Sequence, residues 1–348
     1  MNGEYTYQEI KEQPQTWSAS LSRAHNQYEQ FKKYLLEPQK SVLFTGCGST
    51  HYLSLSAAAR WQALAGISAR GVPASEIWLY SESILSKDAP LLVAVSRSGE
   101  TTETIQAVQV YKSRYHLDPV VISCYPDNPL VKTSPHVILT TDAEEKSVAQ
   151  TKSFTSMLLL AQYLALQSSP VSNSLEEQMG KLPAVLGQLF QKYEANIKSL
   201  AGNKKLEKFV FLGSGINYGL ASEAMLKMKE MSLSISEVFH FMEFRHGPMS
   251  MVAEDTLVIG LLDDATAEKE LKVLNEMRSI GATTLAVGES LQSDQADYVF
   301  ELNSGVDALV RGPLYIPLLQ LLAYYRAMHN GLDPDSPRNL SVFVDLSR

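Results

Sequence analysis

Short apolar runs alternate with segments of helical spacing along most of the chain. Residues 5–37 are polar, have a helical apolar period and show no strand pattern. From residue 41 onward, the runs SVLFTG, LLVAVS, PVVISCY and HVILTT are separated by helical segments, one of which ends at Gly66. This alternation predicts parallel strands joined by crossover helices, which is an α/β fold.

The pattern occurs twice, with a constant offset of 167 residues. KFVFLGSGINYGLASEAMLKMKE repeats SVLFTGCGSTHYLSLSAAARWQA, so Gly46 and Gly48 correspond to Gly213 and Gly215. DTLVIGLLDD stands in the place of LLVAVSRSG, and TTLAVG stands in the place of VVISCY. The sequence therefore predicts two tandem units, each with a parallel sheet flanked by helices in a three-layer, flavodoxin-like arrangement.

Four parts follow from this repeat. Residues 1–40 are predicted to form an N-terminal helical segment, and residues 41–170 form the first unit. Residues 171–206 form a linker helix, and residues 207–348 form the second unit with a C-terminal tail. The Ser/Pro-rich joint QSSPVSNS separates the units, and residues 176–200 have the amphipathic spacing of one long helix.

Composition and charge exclude several classes of protein. The chain has 348 residues, 45% of them apolar, and a net charge of −8, which argues against a general nucleic-acid surface. The run SMLLLAQYLAL is too short to span a bilayer, and the polar N-terminus does not resemble a signal peptide. Cys47 and Cys124 show neither disulfide nor metal spacing. We therefore expect a cytoplasmic protein without nucleic-acid or membrane partners.

The stretch SRSGETTET, residues 96–104, joins an apolar run to a helical segment and is unusually rich in hydroxyl groups. A strand that turns into a helix exposes backbone N–H groups, and the helix dipole favours an anion there. Gly99 lets the backbone approach a ligand closely. These features predict a phosphate site without a Walker lysine. The alternative is a capped turn that binds no ligand.

A second set of donors comes from TGCGST, at Gly48, Ser49 and Thr50. In a parallel sheet both turns lie at the carboxyl edge, where ligands bind. The second unit carries Asp263 and Asp264 in place of the SRSG turn, and these carboxylates would repel an anion. We therefore expect one anion site per chain, built from both halves.

Candidate proton-transfer groups lie in EAMLKMKEMSLSISEVFHFMEFRHGP. Glu223, Lys227 and Glu230 share one helix face, and His246 lies in a Gly-Pro loop. A carboxylate with a nearby histidine can move protons on a sugar. The alternatives are surface ion pairs and an exposed loop histidine without a function. The carboxylates and histidines over residues 237–246 match no zinc motif, so we expect no metal.

These motifs, in this order, resemble those of the double-SIS (sugar isomerase) family, and the resemblance extends over residues 41–346. The matching pieces are CGST, SRSGETTET, VAQTKSFT, MLKMKE, EFRHGP and DPDSPRNL. They are similar to the isomerase half of glucosamine-6-phosphate synthases. Because neither the glutaminase domain nor its N-terminal cysteine is present, the chain looks like stand-alone SIS-type glucosamine-6-phosphate deaminases. Relatives of those deaminases act on galactosamine and fructosamine phosphates.

The resemblance implies a role for each matching residue. Glu230 would be the base that moves a proton between C1 and C2, and Lys227 would assist it. His246 of the partner subunit would act in ring opening, which implies a homodimer. The sugar phosphate would be bound without metal or organic cofactor by the remaining matching residues, which are Gly48, Ser49, Thr50, Ser96, Arg97, Ser98, Thr101, Val148 and Gln150.

The tail departs from the synthase pattern at Val342, where the synthases have a lysine that engages the open-chain ketose. A Schiff base from this position is therefore excluded, which suits a deaminase whose substrate brings its own amine. The expected reaction converts glucosamine-6-phosphate to fructose-6-phosphate and ammonia. Two alternatives remain: another phosphosugar aldose–ketose isomerase or fructosamine-phosphate deglycase, and a non-catalytic sugar-phosphate sensor.

Overall fold

Ten strands form two parallel sheets in the computed structural model, which describes residues 2–169, 172–344 and 346. The first sheet consists of β1 (Val42–Gly46), β2 (Ala69–Pro73), β3 (Leu91–Ser96), β4 (Val120–Ser123) and β5 (His136–Leu139). The second consists of β6 (Lys208–Gly213), β7 (Ile235–Phe239), β8 (Thr256–Leu261), β9 (Thr283–Gly288) and β10 (Tyr298–Glu301).

Both sheets have the same strand order. The first runs β2-β1-β3-β4-β5 and the second runs β7-β6-β8-β9-β10, with every pairing parallel. The predicted α/β fold with two repeated units is therefore confirmed. The sequence patterns did not reveal β2, β7 and β10, because these edge strands are only partly buried and lack a continuous apolar run.

Fifteen helices connect or cover the strands in the described residues. Those of the first half are α1 (Glu4–Lys11), α2 (Gln13–Glu29), α3 (Lys32–Leu36), α4 (Ser49–Ala65), α5 (Ala74–Leu79), α6 (Ser81–Ile84), α7 (Thr102–Tyr115) and α8 (Lys152–Gln167). Those of the second half are α9 (Ser172–Met179), α10 (Leu182–Ala201), α11 (Tyr218–Ser232), α12 (Phe241–Phe244), α13 (Ala267–Ser279), α14 (Ala308–Arg311) and α15 (Tyr315–His329).

Apolar residues on both faces of the first sheet are buried. Phe44 and Val93 belong to the large core that also contains α4, α8 and α15, whereas Leu43 and Leu92 belong to a separate cluster under α7. Successive strand residues point to opposite faces, so continuous apolar strands require helices on both sides. This burial explains why the sequence shows unbroken apolar runs rather than alternation.

The two units meet where α4 crosses α11. Gly219 lies at this crossing, where a Cβ atom would come within 2.4 Å of the Tyr52 carbonyl oxygen and 2.6 Å of the Ser56 nitrogen. Only a glycine allows the two helix backbones to approach this closely. The crossing brings the polar face of α11 to the carboxyl edge of the first sheet.

The predicted single helix over residues 176–200 is wrong in one respect, because the chain forms α9 and α10 with a break after Met179. Gly180 favours a break, and Pro183 lies in the first turn of α10, where its missing N–H is tolerated. Within the Ser/Pro-rich joint, residues 170 and 171 lie outside the described residues. Among the described residues, no helix is both long and apolar enough to cross a membrane.

Candidate active site

A cavity of about 190 Å³ opens at the carboxyl edge of the first sheet. It lies beside the ends of β1 and β3, where the strand order reverses and where open α/β sheets bind ligands. Its lining comes from both units and from the C-terminal tail, and consists of Cys47, Gly48, Ser49, Arg97, Thr101, Val148, Ala149, Gln150, Lys227, Glu230, Leu340, Ser341, Val342, Phe343 and Val344.

Two helix N-termini reach this cavity. Helix α4 begins at Ser49, directly after Gly48, and α7 begins after Thr101. Gly99 in the second turn has a φ of 67°, and a Cβ atom there would lie 1.9 Å from the Asn128 side chain, so the turn requires glycine. Two helix dipoles and their N-terminal N–H groups make this edge suitable for an anion.

A lysine between two carboxylates forms the other side of the cavity. Lys227 Nζ lies 2.5 Å from Glu230 Oε2 and 3.4 Å from Glu223 Oε1. It also donates a hydrogen bond to Ser49 Oγ at 3.1 Å. The Lys227 and Glu223 side chains are buried, whereas the Glu230 side chain is 20% exposed. Glu230 is therefore the carboxylate of this cluster that faces the cavity.

Burial sets the charges in this cluster. It raises the pKa of Glu223 to about 8, which Lys227 opposes and Glu230 reinforces. Burial alone would lower the pKa of Lys227, but Glu223 and Glu230 outweigh it and hold that pKa above its usual value. At neutral pH the cluster therefore contains an ammonium group and a neutral Glu223 carboxyl group.

Arg97 is buried and is held by protein groups on two sides. Its Nη1 atom donates to Glu145 Oε2 at 3.2 Å and to the Ser147 carbonyl oxygen at 3.3 Å. Its Nη2 atom donates to the Val342 carbonyl oxygen at 3.0 Å. The guanidinium thus joins the loop at residues 145–150 to the C-terminal tail.

The tail over residues 340–344 covers the cavity. Its carbonyl groups accept hydrogen bonds from the turn after β3 and from the start of α7. Besides the contact from Arg97, the Thr102 N–H at the start of α7 donates to the Val344 carbonyl oxygen at 3.3 Å. Val342 contributes its backbone carbonyl, while its side chain is half exposed. No amine enters the cavity from this position, as the sequence indicates.

The cavity brings together eight of the predicted site residues, which are Gly48, Ser49, Arg97, Thr101, Val148, Gln150, Lys227 and Glu230. The Thr50 hydroxyl lies outside the lining and closes its own turn, accepting from the Cys47 N–H and donating to the Cys47 carbonyl, both at 2.9 Å. Likewise, Ser96 Oγ accepts from the Gly99 N–H at 3.0 Å. These hydroxyls shape the two turns.

Two further predicted residues lie away from this cavity. Ser98 borders a neighbouring cavity together with Tyr125 and Phe343, and its hydroxyl accepts from the Glu100 N–H at 3.2 Å. His246 is exposed in the loop that follows α12. Within one chain, His246 is therefore not brought to Glu230.

The sequence predicts that Glu223 shares a helix face with Lys227, and the structure places the Glu223 carboxylate 3.4 Å from Lys227 Nζ. Other features of the site were not predicted. The tail residues around Val342 follow the DPDSPRNL motif, but sequence patterns do not show that the Val342 carbonyl group reaches Arg97. Gln150 was predicted to belong to the site. The structure adds that its Oε1 atom is buried and has no hydrogen-bond partner among the described residues.

At the corresponding edge of the second sheet, an ion pair has its acidic and basic residues in exchanged positions. Arg97 follows β3 and pairs with Glu145, whereas Asp264 follows β8 and pairs with the buried Arg311. Arg311 also lies 3.5 Å from Glu289. A carboxylate thus occupies the position of the first sheet's guanidinium, which agrees with the expectation that the second edge does not hold an anion.

The fold and the cavity define a duplicated α/β protein with a carboxylate–lysine cluster beside two helix N-termini. The chain matches the SIS domain family over residues 35–167 and 204–329, and it belongs to that family. It is 30% identical to a glutamine–fructose-6-phosphate aminotransferase (isomerizing) of Francisella tularensis, in an alignment covering 98% of this chain and 58% of that protein. The chain thus spans less than two thirds of this relative's length.

Two solved structures extend the comparison. The glucosamine-6-phosphate deaminase of Thermotoga maritima is 28% identical, with a TM-score of 0.78 over 98% of this chain and 99% of the other. The tagatose-6-phosphate ketose/aldose isomerase of Escherichia coli has a TM-score of 0.84 over 99% and 97% of the two chains. At 21% identity, the latter shows the fold alone. The relatives are sugar-phosphate enzymes.

Proposed function

We propose that the protein is an amino-sugar-phosphate deaminase that converts glucosamine-6-phosphate and water to fructose-6-phosphate and ammonia. The observation that carries this proposal is the Glu230 carboxylate, which faces the cavity 2.5 Å from the Lys227 ammonium and beside the anion-binding turns. Similarity over nearly the whole chain to a glucosamine-6-phosphate deaminase supports the substrate class.

Substrate phosphate binds at the N-termini of α4 and α7, where Gly48, Ser49 and Thr101 line the cavity. The sugar then extends along the wall formed by residues 148–150 towards Glu230. In this orientation C1 and C2 of the open-chain aldose lie next to the carboxylate. The phosphate competes with tail carbonyl groups for donors of the second turn, so substrate binding moves residues 342–344.

Glu230 removes the proton from C2 of the open-chain aldehyde, and O1 takes a proton from water to give the enolamine. The Lys227 ammonium stabilises the negative charge that develops on oxygen. Glu230 returns its proton to C1, which leaves an iminium at C2. Water adds to C2, the C–N bond breaks, and ammonia leaves with the ketose. The substrate supplies the nitrogen, so no lysine is needed at Val342.

We further propose that the active unit is a homodimer in which His246 of the partner subunit completes the site. The support is the position of His246, which is exposed and outside the cavity of its own chain. Ile235 and Met251 are 65% and 66% exposed and border one apolar groove of the second unit. Exposed apolar patches of this kind mark interaction surfaces.

The Glu230→Gln variant tests the proposed role of the base. It should lower kcat for glucosamine-6-phosphate by about 10²–10⁴-fold, the usual contribution of a positioned acid–base group. Binding of the sugar phosphate, measured by calorimetry, should stay within about threefold, because the phosphate contacts are unchanged. Glu254→Gln, at an exposed site, is the control. Turnover by Glu230→Gln at the control's rate would refute the role and favour a different base.

A further inference from the structure

Helix α1 contacts the wall of the cavity, although the sequence patterns assign it no function. Its Glu9 is buried, with 5% of its surface exposed. The carboxylate accepts from the Lys146 N–H at 2.5 Å, from the Ser147 N–H at 3.4 Å and from Ser147 Oγ at 2.5 Å. Glu9 therefore satisfies buried donors immediately before residues 148–150, which line the cavity.

The turn after β3 holds the loop over residues 145–150 from the opposite side. Arg97 contacts the Glu145 carboxylate and the Ser147 carbonyl oxygen. Glu145 in turn accepts from Thr151 and Ser153. The loop over residues 145–150 is thus fixed between α1 and the turn after β3.

Helix α1 also contacts the segment that precedes the tail. The Thr6 N–H and hydroxyl both donate to Asp335 Oδ1 at 2.7 Å. The Asp335 carbonyl oxygen accepts from the Val148 N–H at 3.0 Å. Helix α1 therefore contacts both the loop 145–150 and the segment that precedes the tail, and these two segments meet at the hydrogen bond between Val148 and Asp335.

A buried amide network at the start of α2 supports the far end of the loop. Gln13 Nε2 donates to Gln320 Oε1 at 2.8 Å, and Gln320 Nε2 donates to the Thr151 carbonyl oxygen at 3.1 Å. Thr155 Oγ1 donates to Gln13 Oε1 at 2.6 Å. Buried networks whose members are all paired fix one conformation.

We propose that the N-terminal helical segment is part of the sugar-binding machinery, with Glu9 as the positioning residue that fixes the loop 145–150 as the wall against the sugar. This inference deepens the proposed function and rests on it for the identity of the ligand. Glu9 does not touch the substrate. It acts through the backbone of Lys146 and Ser147, and so through Val148 and Gln150.

A matched pair of substitutions separates this role from simple packing. Glu9→Met fills a similar volume but offers no oxygen to the Lys146 and Ser147 N–H groups. Glu9→Gln keeps one oxygen for these N–H groups, and the Ser147 hydroxyl can turn to accept from the new amide. Glu12→Met is the control, because Glu12 pairs with Lys152 of α8 and does not touch the loop backbone.

Hydrogen exchange of the peptide spanning residues 144–151 measures the position of the loop directly. In Glu9→Met it should speed up about tenfold, while peptides of the two sheets keep wild-type rates. The KM for glucosamine-6-phosphate should rise about tenfold with kcat within about threefold, since the wall binds substrate and transition state alike. Glu9→Gln and Glu12→Met should stay within about twofold of wild type in both measurements.

Unchanged loop exchange in Glu9→Met would overturn the proposal, as would faster exchange in every peptide. Faster loop exchange with an unchanged KM would also contradict it, because the loop would then not be the sugar wall. Failure of the proposed function looks different: the wild-type protein then neither turns over nor binds glucosamine-6-phosphate. In that case loop exchange still decides whether Glu9 positions the loop.

Discussion

Glu223 is a carboxyl group that the fold keeps away from water, 3.4 Å from the Lys227 ammonium. Its burial costs free energy whenever it is ionised, and this raises its pKa to about 8. The neighbouring Glu230 lies closer to the same ammonium group, at 2.5 Å. Of the three ionisable side chains in this cluster, Lys227 and Glu230 line the cavity.

Replacing Glu223 by Gln should change how stability depends on pH. The unfolded chain releases this proton near pH 4.5 and the folded protein near pH 8, so wild-type stability falls as pH rises through this window. Glu223→Gln has no carboxyl group at this position and lacks this loss. The difference in free energy of unfolding between the variant and the wild type should therefore shift in the variant's favour, by at most about 1.4 kcal/mol for each unit that the pH rises. Urea unfolding between pH 5 and pH 8 measures the difference. Parallel curves for both proteins, as expected for the exposed-site variant Glu254→Gln, would show that Glu223 is not protonated in the fold.

The hydroxyl residues show the limit of sequence reasoning at this scale. From their residue types and their position at a strand–helix junction, the sequence predicts that Ser49, Thr101, Ser96 and Thr50 all belong to the site. A hydroxyl that binds a ligand and one that closes a turn have the same sequence pattern. Only the observed hydrogen bonds show that Ser96 and Thr50 stabilise their own turns.

At the scale of elements, the two repeats use corresponding cations in different ways. Lys227 on α11 reaches the edge of the first sheet, and the corresponding Arg60 on α4 reaches the second unit. There Arg60 is fully buried and donates to the Ala308 and Leu309 carbonyl oxygens at 3.2 Å and 2.6 Å. Burial lowers the pKa of Arg60 to about 10. The second edge thus uses its cation for structure.

The asymmetry itself was predictable, because Asp263 and Asp264 replace the hydroxyl-rich turn in the repeat. The reversed pair between Asp264 and Arg311 was not, because its partners are 47 positions apart and belong to different elements. The same reason hides Glu9, whose partners in the loop are 137 and 138 positions away. Local patterns identify turns and helix faces, whereas contacts between distant segments require the fold.

The whole molecule is incomplete as a catalyst if His246 acts in the reaction, since one chain leaves it exposed and away from Glu230. The fold class and the duplication follow from apolar runs and a constant offset, whereas Val148 and Gln150 were expected in the site only because of the resemblance to a known family. The association of two chains does not, because it depends on the shape of exposed surfaces such as the groove beside Ile235 and Met251. Cooperation between subunits therefore stays a prediction.

Mixed dimers test that prediction. Glu230→Gln and His246→Ala chains, coexpressed in equal amounts with different tags, should each be inactive alone. Together they should recover about a quarter of wild-type activity, because half of the dimers then contain one intact site built from both chains. A mixture as inactive as the separate variants would show that both residues act within one chain, whereas wild-type turnover by His246→Ala alone would show that His246 has no role.

The most direct test of the central claim is the stoichiometry of products from glucosamine-6-phosphate. The purified protein should release ammonia and fructose-6-phosphate in equal amounts, since each C–N bond that breaks at C2 leaves one ketose. Neither product should form above background with Glu230→Gln under the same conditions. Tight binding of the sugar phosphate by the wild-type protein without any ammonia would contradict the account and indicate a different amino-sugar substrate or a sensor.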